Sequence, residues 1–232
     1  MLILETSGRV GQVALAEGEN LLAVQRLDET RRHGRDLAPA VVSLLKGLGW
    51  KPRDVNVVLV SRGPGSYTGL RVGIMSAKTF AYATGAALLA IDTFAAIASQ
   101  APAEVVCVDV IADAQQDKLY VQRFGRSQAA AGMQPSSPLR IQPFSEWLTQ
   151  REKAAWLTGP GLRVYERRLA TPQDQVLNPE LWDPQPQSLL NLGVARYAAG
   201  DRDDVWTLEP LYLRPSSAEA NWAANDPSSP KR

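Results

Sequence analysis

The apolar residues of this chain change their period near residue 36, and that change limits the folds open to it. Before it, the runs Leu2-Ile3-Leu4, Val10 to Leu15 and Leu21 to Leu27 are separated by turn clusters, Thr6-Ser7-Gly8 and Glu17 to Asn20. Short runs broken by turn residues at this spacing predict an antiparallel three-stranded meander. After it, Leu37, Val41, Leu44, Leu45 and Leu48 share one face of a helix over 36–48. Asp36 is placed to cap that helix, Pro39 is tolerable if it lies in the first turn, and Gly47 and Gly49 close it. Val55 to Val60 is a near-continuous apolar run, the pattern of a parallel strand covered on both faces.

A glycine-rich turn, Gly63-Pro64-Gly65-Ser66-Tyr67-Thr68-Gly69, then leads into a helix that runs through Thr84 and stops at Gly85. Leu88 to Ile91 reads as another buried strand, and Thr93 as the cap of a short helix through Ser99. The first hundred residues therefore read β-β-β-α-β-α-β-α. Later, 105–111 and 119–124 read as strands around a polar stretch, and 125–138 as a loop. A short helix over 144–149, a strand over 155–158 ending at Gly159-Pro160-Gly161, and a helix over 188–199 follow. From Pro215 onward Ser, Pro, Ala and Asn dominate, with Trp222 as the apolar anchor. The expected organisation is a first lobe over 1–100, a second over 101–214 and a disordered tail over 215–232.

Residue counts exclude several chemistries. The chain has one histidine, His33, so a His-His metal site, a zinc finger and a metallopeptidase of the HExxH type are ruled out. His33 follows two arginines, which gives it no support as the base of a Ser-His-Asp triad. One cysteine, Cys107, cannot form an internal disulfide, which suits a reducing compartment. With no long apolar run and no basic start before one, the expectation is a cytoplasmic protein with no membrane contact. A net charge of +1 exerts no global pull on nucleic acid, so any RNA contact would be local or made through a partner.

The turn at 63–69 joins a strand to a helix N-terminus, whose free amides and dipole suit an anion. A tight connection without ligand fits the same residues, since the spacing is neither GxxxxGK[ST] nor GxGxxG. Along the helix that follows, Gly69, Gly73, Ala77 and Ala81 recur every fourth residue and form a ridge without bulky side chains. Glycines inside a helix cost about 1 kcal/mol each relative to alanine, so the ridge needs a reason. Close approach of another helix, internal or from a second chain, is one such reason.

The strings LILETS, RRHGRDLAP, GPGSYTGLRVG and LLAIDT together resemble the TsaB family of tRNA threonylcarbamoyladenosine biosynthesis proteins. Asp113-Ala114, the Gly159-Pro160-Gly161 turn and Pro210-Leu211-Tyr212-Leu213-Arg214 extend the likeness to about residue 214. The resemblance implies an α/β fold of the actin-like ATPase (ribonuclease H-like) kind, with two lobes of mixed sheets flanked by helices. It also implies kinship with the catalytic subunit, TsaD, which carries a pair of metal-binding histidines one helical turn apart. Thr93 and Ile97 stand at those positions here, and Ile97 cannot coordinate a metal.

The implied role is a non-catalytic subunit that binds a TsaD-type catalytic subunit in concert with a TsaE-type ATPase. Together they place threonylcarbamoyl on the tRNA adenosine beside the anticodon, with tRNA reached through the complex. Partner contacts are expected from His33, Leu37, Val41 and the ridge Gly69, Gly73, Ala77 and Ala81; a homodimer can use the same surface. Glu5, Thr6 and Ser7 are the candidate nucleotide contacts, with no tightly bound cofactor but ATP or ADP with Mg²⁺ at the complex interface. Glu5 stands where relatives often carry Asp, and Gln115 where Arg is expected. The competing reading is a stand-alone actin-like ATPase or small-molecule kinase.

Other residues have plainer readings. Arg31, Arg32 and Arg35 beside His33 fit a basic patch or a solvated helix entrance. Arg71 defaults to an intramolecular ion pair, Asp92 and Asp113 to turn and capping roles. Trp156, Trp182 and Trp206 read as core or interface packing.

Overall fold

A computed structural model describes residues 1–28, 33–126, 132–169 and 175–213. The tail 215–232 with Trp222, the arginines Arg31 and Arg32, Arg214 and the side chain of His33 lie outside the described residues.

The meander forms as its turn clusters predict: β1 (Leu2–Glu5), β2 (Gln12–Glu17) and β3 (Asn20–Arg26) pair antiparallel. Then come α1 (His33–Gly47), β4 (Val57–Gly63), α2 (Tyr67–Thr84), β5 (Ala87–Asp92) and α3 (Thr93–Ala98). β4 and β5 add in parallel beside β1, giving the order β3-β2-β1-β4-β5. α1 begins earlier than its apolar stripe, so Asp36 lies in the first turn and does not cap. Pro39 falls in the helix interior, where its ring removes one backbone hydrogen bond. At α3 the N-cap position belongs to Asp92, and the Thr93 hydroxyl instead accepts the Gly63 amide at 3.2 Å.

The second sheet is built from β6 (Cys107–Asp113), β7 (Lys118–Arg126), β8 (Met133–Pro135), β9 (Arg140–Pro143) and β10 (Trp156–Thr158). β8 and β9 both pair with β7, β6 pairs with its other edge, and β10 runs parallel to β6. This repeats the plan of the first sheet, a meander followed by a parallel strand. Leu157 and Val176 form a parallel bridge at the place of a fifth strand. The helices repeat as well: α4 (Phe144–Gln150) precedes β10 as α1 precedes β4, and α5 (Leu162–Leu169) follows β10 as α2 follows β4. Both strand-to-helix turns read Gly-Pro-Gly, at 63–65 and 159–161. Two lobes of one actin-like design make up the chain.

Alternation along the strands gives each sheet two apolar faces. In the first, Leu2, Leu4, Val58 and Val60 pack with Leu37, Leu45, Ile74 and Ala77 of α1 and α2. The opposite face, with Ile3, Ala14, Leu59 and Leu89, packs on Leu189 and Leu190. Those leucines belong to α6 (Pro186–Ala198), which departs from the expected boundary of the second lobe. Gly193 lets α6 approach, since a Cβ there would meet Leu59 Cδ1 at 2.4 Å. Beyond α6, Asp203 bridges to Leu88 and takes the Ala90 amide at 2.7 Å, and the Leu211 amide donates to the Arg62 carbonyl at 2.8 Å. The first lobe is thus 1–100 closed by a returning segment over 186–213. α3 lies between the sheets, with Phe94 and Ile97 packed on Val108, Val110 and Phe124 of the second.

Candidate functional site

The predicted nucleotide contacts and the predicted ridge meet each other. Glu5 ends β1, and its Oε1 accepts the Ser7 amide at 2.6 Å, the Ser7 hydroxyl at 2.6 Å and the Gly8 amide at 3.1 Å. The turn so formed is pressed against the start of α2. The Ser66 amide donates to the Ser7 carbonyl at 2.8 Å, and the Ser66 hydroxyl accepts the Gly69 amide at 3.2 Å. A Cβ on Gly65 would lie 2.5 Å from the Ser7 carbonyl oxygen, and one on Gly69 2.1 Å from that of Thr6. One on Gly73 would lie 2.0 Å from the Thr6 hydroxyl. The glycines let the end of β1 press into the first turns of α2.

Two expectations change as a result. The amides that would cradle a phosphate are capped from within the chain, and Glu5, Thr6 and Ser7 are buried, Glu5 being 1% exposed. A phosphate would reach them only if the 65–69 segment withdrew. The ridge Gly69, Gly73, Ala77 and Ala81 is also buried and belongs to the core, while Leu37 and Val41, though buried, line the floor of the groove between α1 and α2. Glycine is needed at 69 and 73 because Thr6, more than sixty positions away in sequence, occupies the space. Burial pushes the Glu5 carboxyl up to about 7, against hydrogen bonds from Ser7, Ser61 and Gly8 that favour its charged form.

What α1 and α2 do present is an apolar groove of about 520 Å³ between them. Val42 and Met75, 49% and 59% exposed, stand over it, and Leu2, Leu45 and Phe80 line it. Two of its polar side chains bond back to their own helix: the Thr79 hydroxyl donates to the Met75 carbonyl and the Thr84 hydroxyl to the Phe80 carbonyl, each at 2.8 Å. Back-bonded threonines offer methyl groups to a partner. Such a face costs free energy in water and gains it under an apolar cover.

The remaining candidates are dispersed. Arg71 donates to the Tyr67 hydroxyl at 2.8 Å and lies over its ring, in place of the expected ion pair. Asp92 pairs with Arg62 at 2.5 Å, and Asp113 accepts the Gln115 amide at 2.8 Å and the Tyr165 hydroxyl at 3.2 Å, so the two carboxylates are engaged in separate lobes. Thr93 is tied to Gly63 and Ile97 is core, so α3 offers no pair of metal donors. Trp182 is buried, but Trp206 is 72% exposed and packs against Tyr82 at the surface, which leaves the core half of its core-or-interface reading unmet.

Known proteins share this architecture. The family described as TsaD, tRNA N6-adenosine threonylcarbamoyltransferase, matches residues 6–152. The tRNA threonylcarbamoyladenosine biosynthesis protein TsaB of Bacillus subtilis is 27% identical over 96% of this chain and 97% of its own length. The protein of the same name from Escherichia coli is 27% identical over 79% of this chain and 81% of its own. A crystal structure from Pseudomonas aeruginosa, of a protein described as similar to the peptidase YeaZ, superposes with a TM-score of 0.78 at 26% identity. It covers 92% of this chain and 98% of that one. With its paired actin-like lobes and these relatives, the chain belongs to the TsaD family of proteins, in its TsaB branch.

Proposed function

We propose that this protein takes part in threonylcarbamoyladenosine formation on tRNA as an accessory subunit, docking through the α1–α2 groove onto a TsaD-type catalytic subunit. The groove carries this reading: it is broad, almost wholly apolar and exposed on the lobe whose core is otherwise complete. Transfer chemistry belongs to the partner, because the positions matching its histidine pair are Thr93 and Ile97. A TsaE-type ATPase acts on the assembled complex, tRNA is met through that complex, and ATP or ADP with Mg²⁺ binds where the subunits join. The protein works in the cytoplasm with its substrate tRNA, and among the described residues no helix is long and apolar enough to cross a membrane.

A stand-alone ATPase or kinase is disfavoured, because its carboxylate would be Glu5, which is enclosed by Ser7, Gly8 and the turn into α2. Co-purification with a TsaD-type subunit tests the proposal. Recovery of a stable complex supports it, and failure to associate with or without nucleotide and the TsaE-type ATPase would overturn it. A second copy of this chain is the competing occupant of the groove, and a homodimer that dissociates when the catalytic subunit is added is compatible with docking at one shared face.

A further inference from the structure

We infer that the turn after β1 is a proton-sensitive latch on α2, holding the first turn of the helix closed while Glu5 is protonated and releasing it once Glu5 is ionised. This inference is independent of the docking groove and of what binds there.

The latch is made of close packing. The Ser7 carbonyl takes the Ser66 amide at 2.8 Å, and with the Thr6 carbonyl it lies where side chains on Gly65 and Gly69 would stand. Glu5 fixes the turn in that place, because its Oε1 gathers the Ser7 amide, the Ser7 hydroxyl and the Gly8 amide. The other oxygen is treated differently. Oε2 is buried without a well-formed hydrogen bond among the described residues, Ser61 on β4 being the remaining polar neighbour of the carboxyl.

The protonated acid suits this arrangement: Oε1 is then the carbonyl oxygen that takes three donors, and Oε2 carries the proton. Ionisation leaves charge on an oxygen that no donor satisfies in a site closed to water, which is costly. No cation on the surrounding elements compensates. On β2 the register partner of Glu5 is Gln12, and Arg9 in the intervening turn is exposed. Arg62, at the end of β4, is paired with Asp92, and Asp183, beside Gly8, with Arg163. Arg71 of α2 is bonded to Tyr67, and α6 opens with Pro186, Gln187 and Ser188. Relief therefore comes from water, which reaches Oε2 when the turn leaves α2. That movement breaks the bond from the Ser66 amide to Ser7, while the Ser66 hydroxyl keeps its own bond from the Gly69 amide inside the helix. Burial raises the carboxyl to about 7, which sets the release near neutral pH.

Amide exchange followed by NMR on the full chain at pH 5, 6, 7 and 8 tests this, with rates expressed as protection relative to an unstructured chain. Protection at Ser66 should fall at least about tenfold across this range, and at pH 8 it should be insensitive to low urea, the mark of a local opening. Leu59, fully buried on β4, should instead respond to urea as the global transition does. The side-chain carboxyl resonance of Glu5 should titrate with the same midpoint as the change at Ser66. In Glu5→Gln, which keeps the neutral shape, protection at Ser66 should stay flat; the wild-type measurements decide the matter if that variant does not fold. Titration of Glu5 in the ordinary carboxylate range, constant protection at Ser66, a fall only in step with Leu59, or a fall that persists in Glu5→Gln would each overturn the proposal.

Discussion

The hydroxyl of Thr6 fills the space that a side chain on Gly73 would need, a Cβ there falling 2.0 Å from Thr6 Oγ1. That hydroxyl is buried and finds no hydrogen-bond partner among the described residues. Gly73→Ala should therefore destabilise the fold by about 1–3 kcal/mol, the usual cost of overpacking. Thr6→Ala removes the clashing atom, leaving the next contact at 3.2 Å, so the double variant should be more stable than Gly73→Ala alone. Urea denaturation of the four proteins of this cycle measures the coupling; additive effects would remove the contact from the account.

Glu5 should make stability depend on pH. Its carboxyl is raised by burial from 4.5 to about 7, so between those values the folded chain holds a proton that the unfolded chain releases. Stability then falls as pH rises from about 4.5 to about 7 and levels off above it. The whole effect is about 3 kcal/mol, since each tenfold change in proton affinity is worth about 1.4 kcal/mol. Glu5→Gln should flatten this part of the profile, as read from denaturation midpoints at pH 5, 6, 7 and 8.

The first lobe should not fold as residues 1–100. Without α6, the face carrying Ile3, Ala14, Leu59 and Leu89 is left to water. Leu189→Ala or Leu190→Ala in the full chain should each cost about 2–5 kcal/mol. A chain ending at residue 185 should give poorly dispersed amide NMR spectra, whereas a well-dispersed spectrum would show that α6 is dispensable.

Much of this was legible in the sequence wherever local pattern and local structure coincide. The meander, the strand over Val57–Gly63, the long helix after it and the helix near 188–199 follow from period and turn residues. α5 carries a regular stripe of Leu162, Tyr165 and Leu169 opposite Arg163, Glu166, Arg167 and Arg168, but at eight residues it is too short for its period to stand out. β8 and β9 are short strands defined by their pairing with β7. The four-residue spacing from Gly69 to Ala81 marks a buried face, but what presses on its two glycines is not the helix expected there. Spacing could not say what approaches, because the answer at Gly69 and Gly73 is Thr6, just past the end of β1. The same limit hid the return of α6 to the first lobe.

The most direct test compares the affinity of a TsaD-type catalytic subunit for wild type, Met75→Glu and Tyr82→Glu. Met75 stands over the groove, and Tyr82 is exposed beside Trp206. Both are surface positions, so the fold should change by no more than about 0.5 kcal/mol. Docking through the groove predicts at least about tenfold weaker binding, about 1.4 kcal/mol, for Met75→Glu and little change for Tyr82→Glu. Wild-type affinity in Met75→Glu, with the loss appearing in Tyr82→Glu, would contradict the account and move the interface to the Trp206 side of α2.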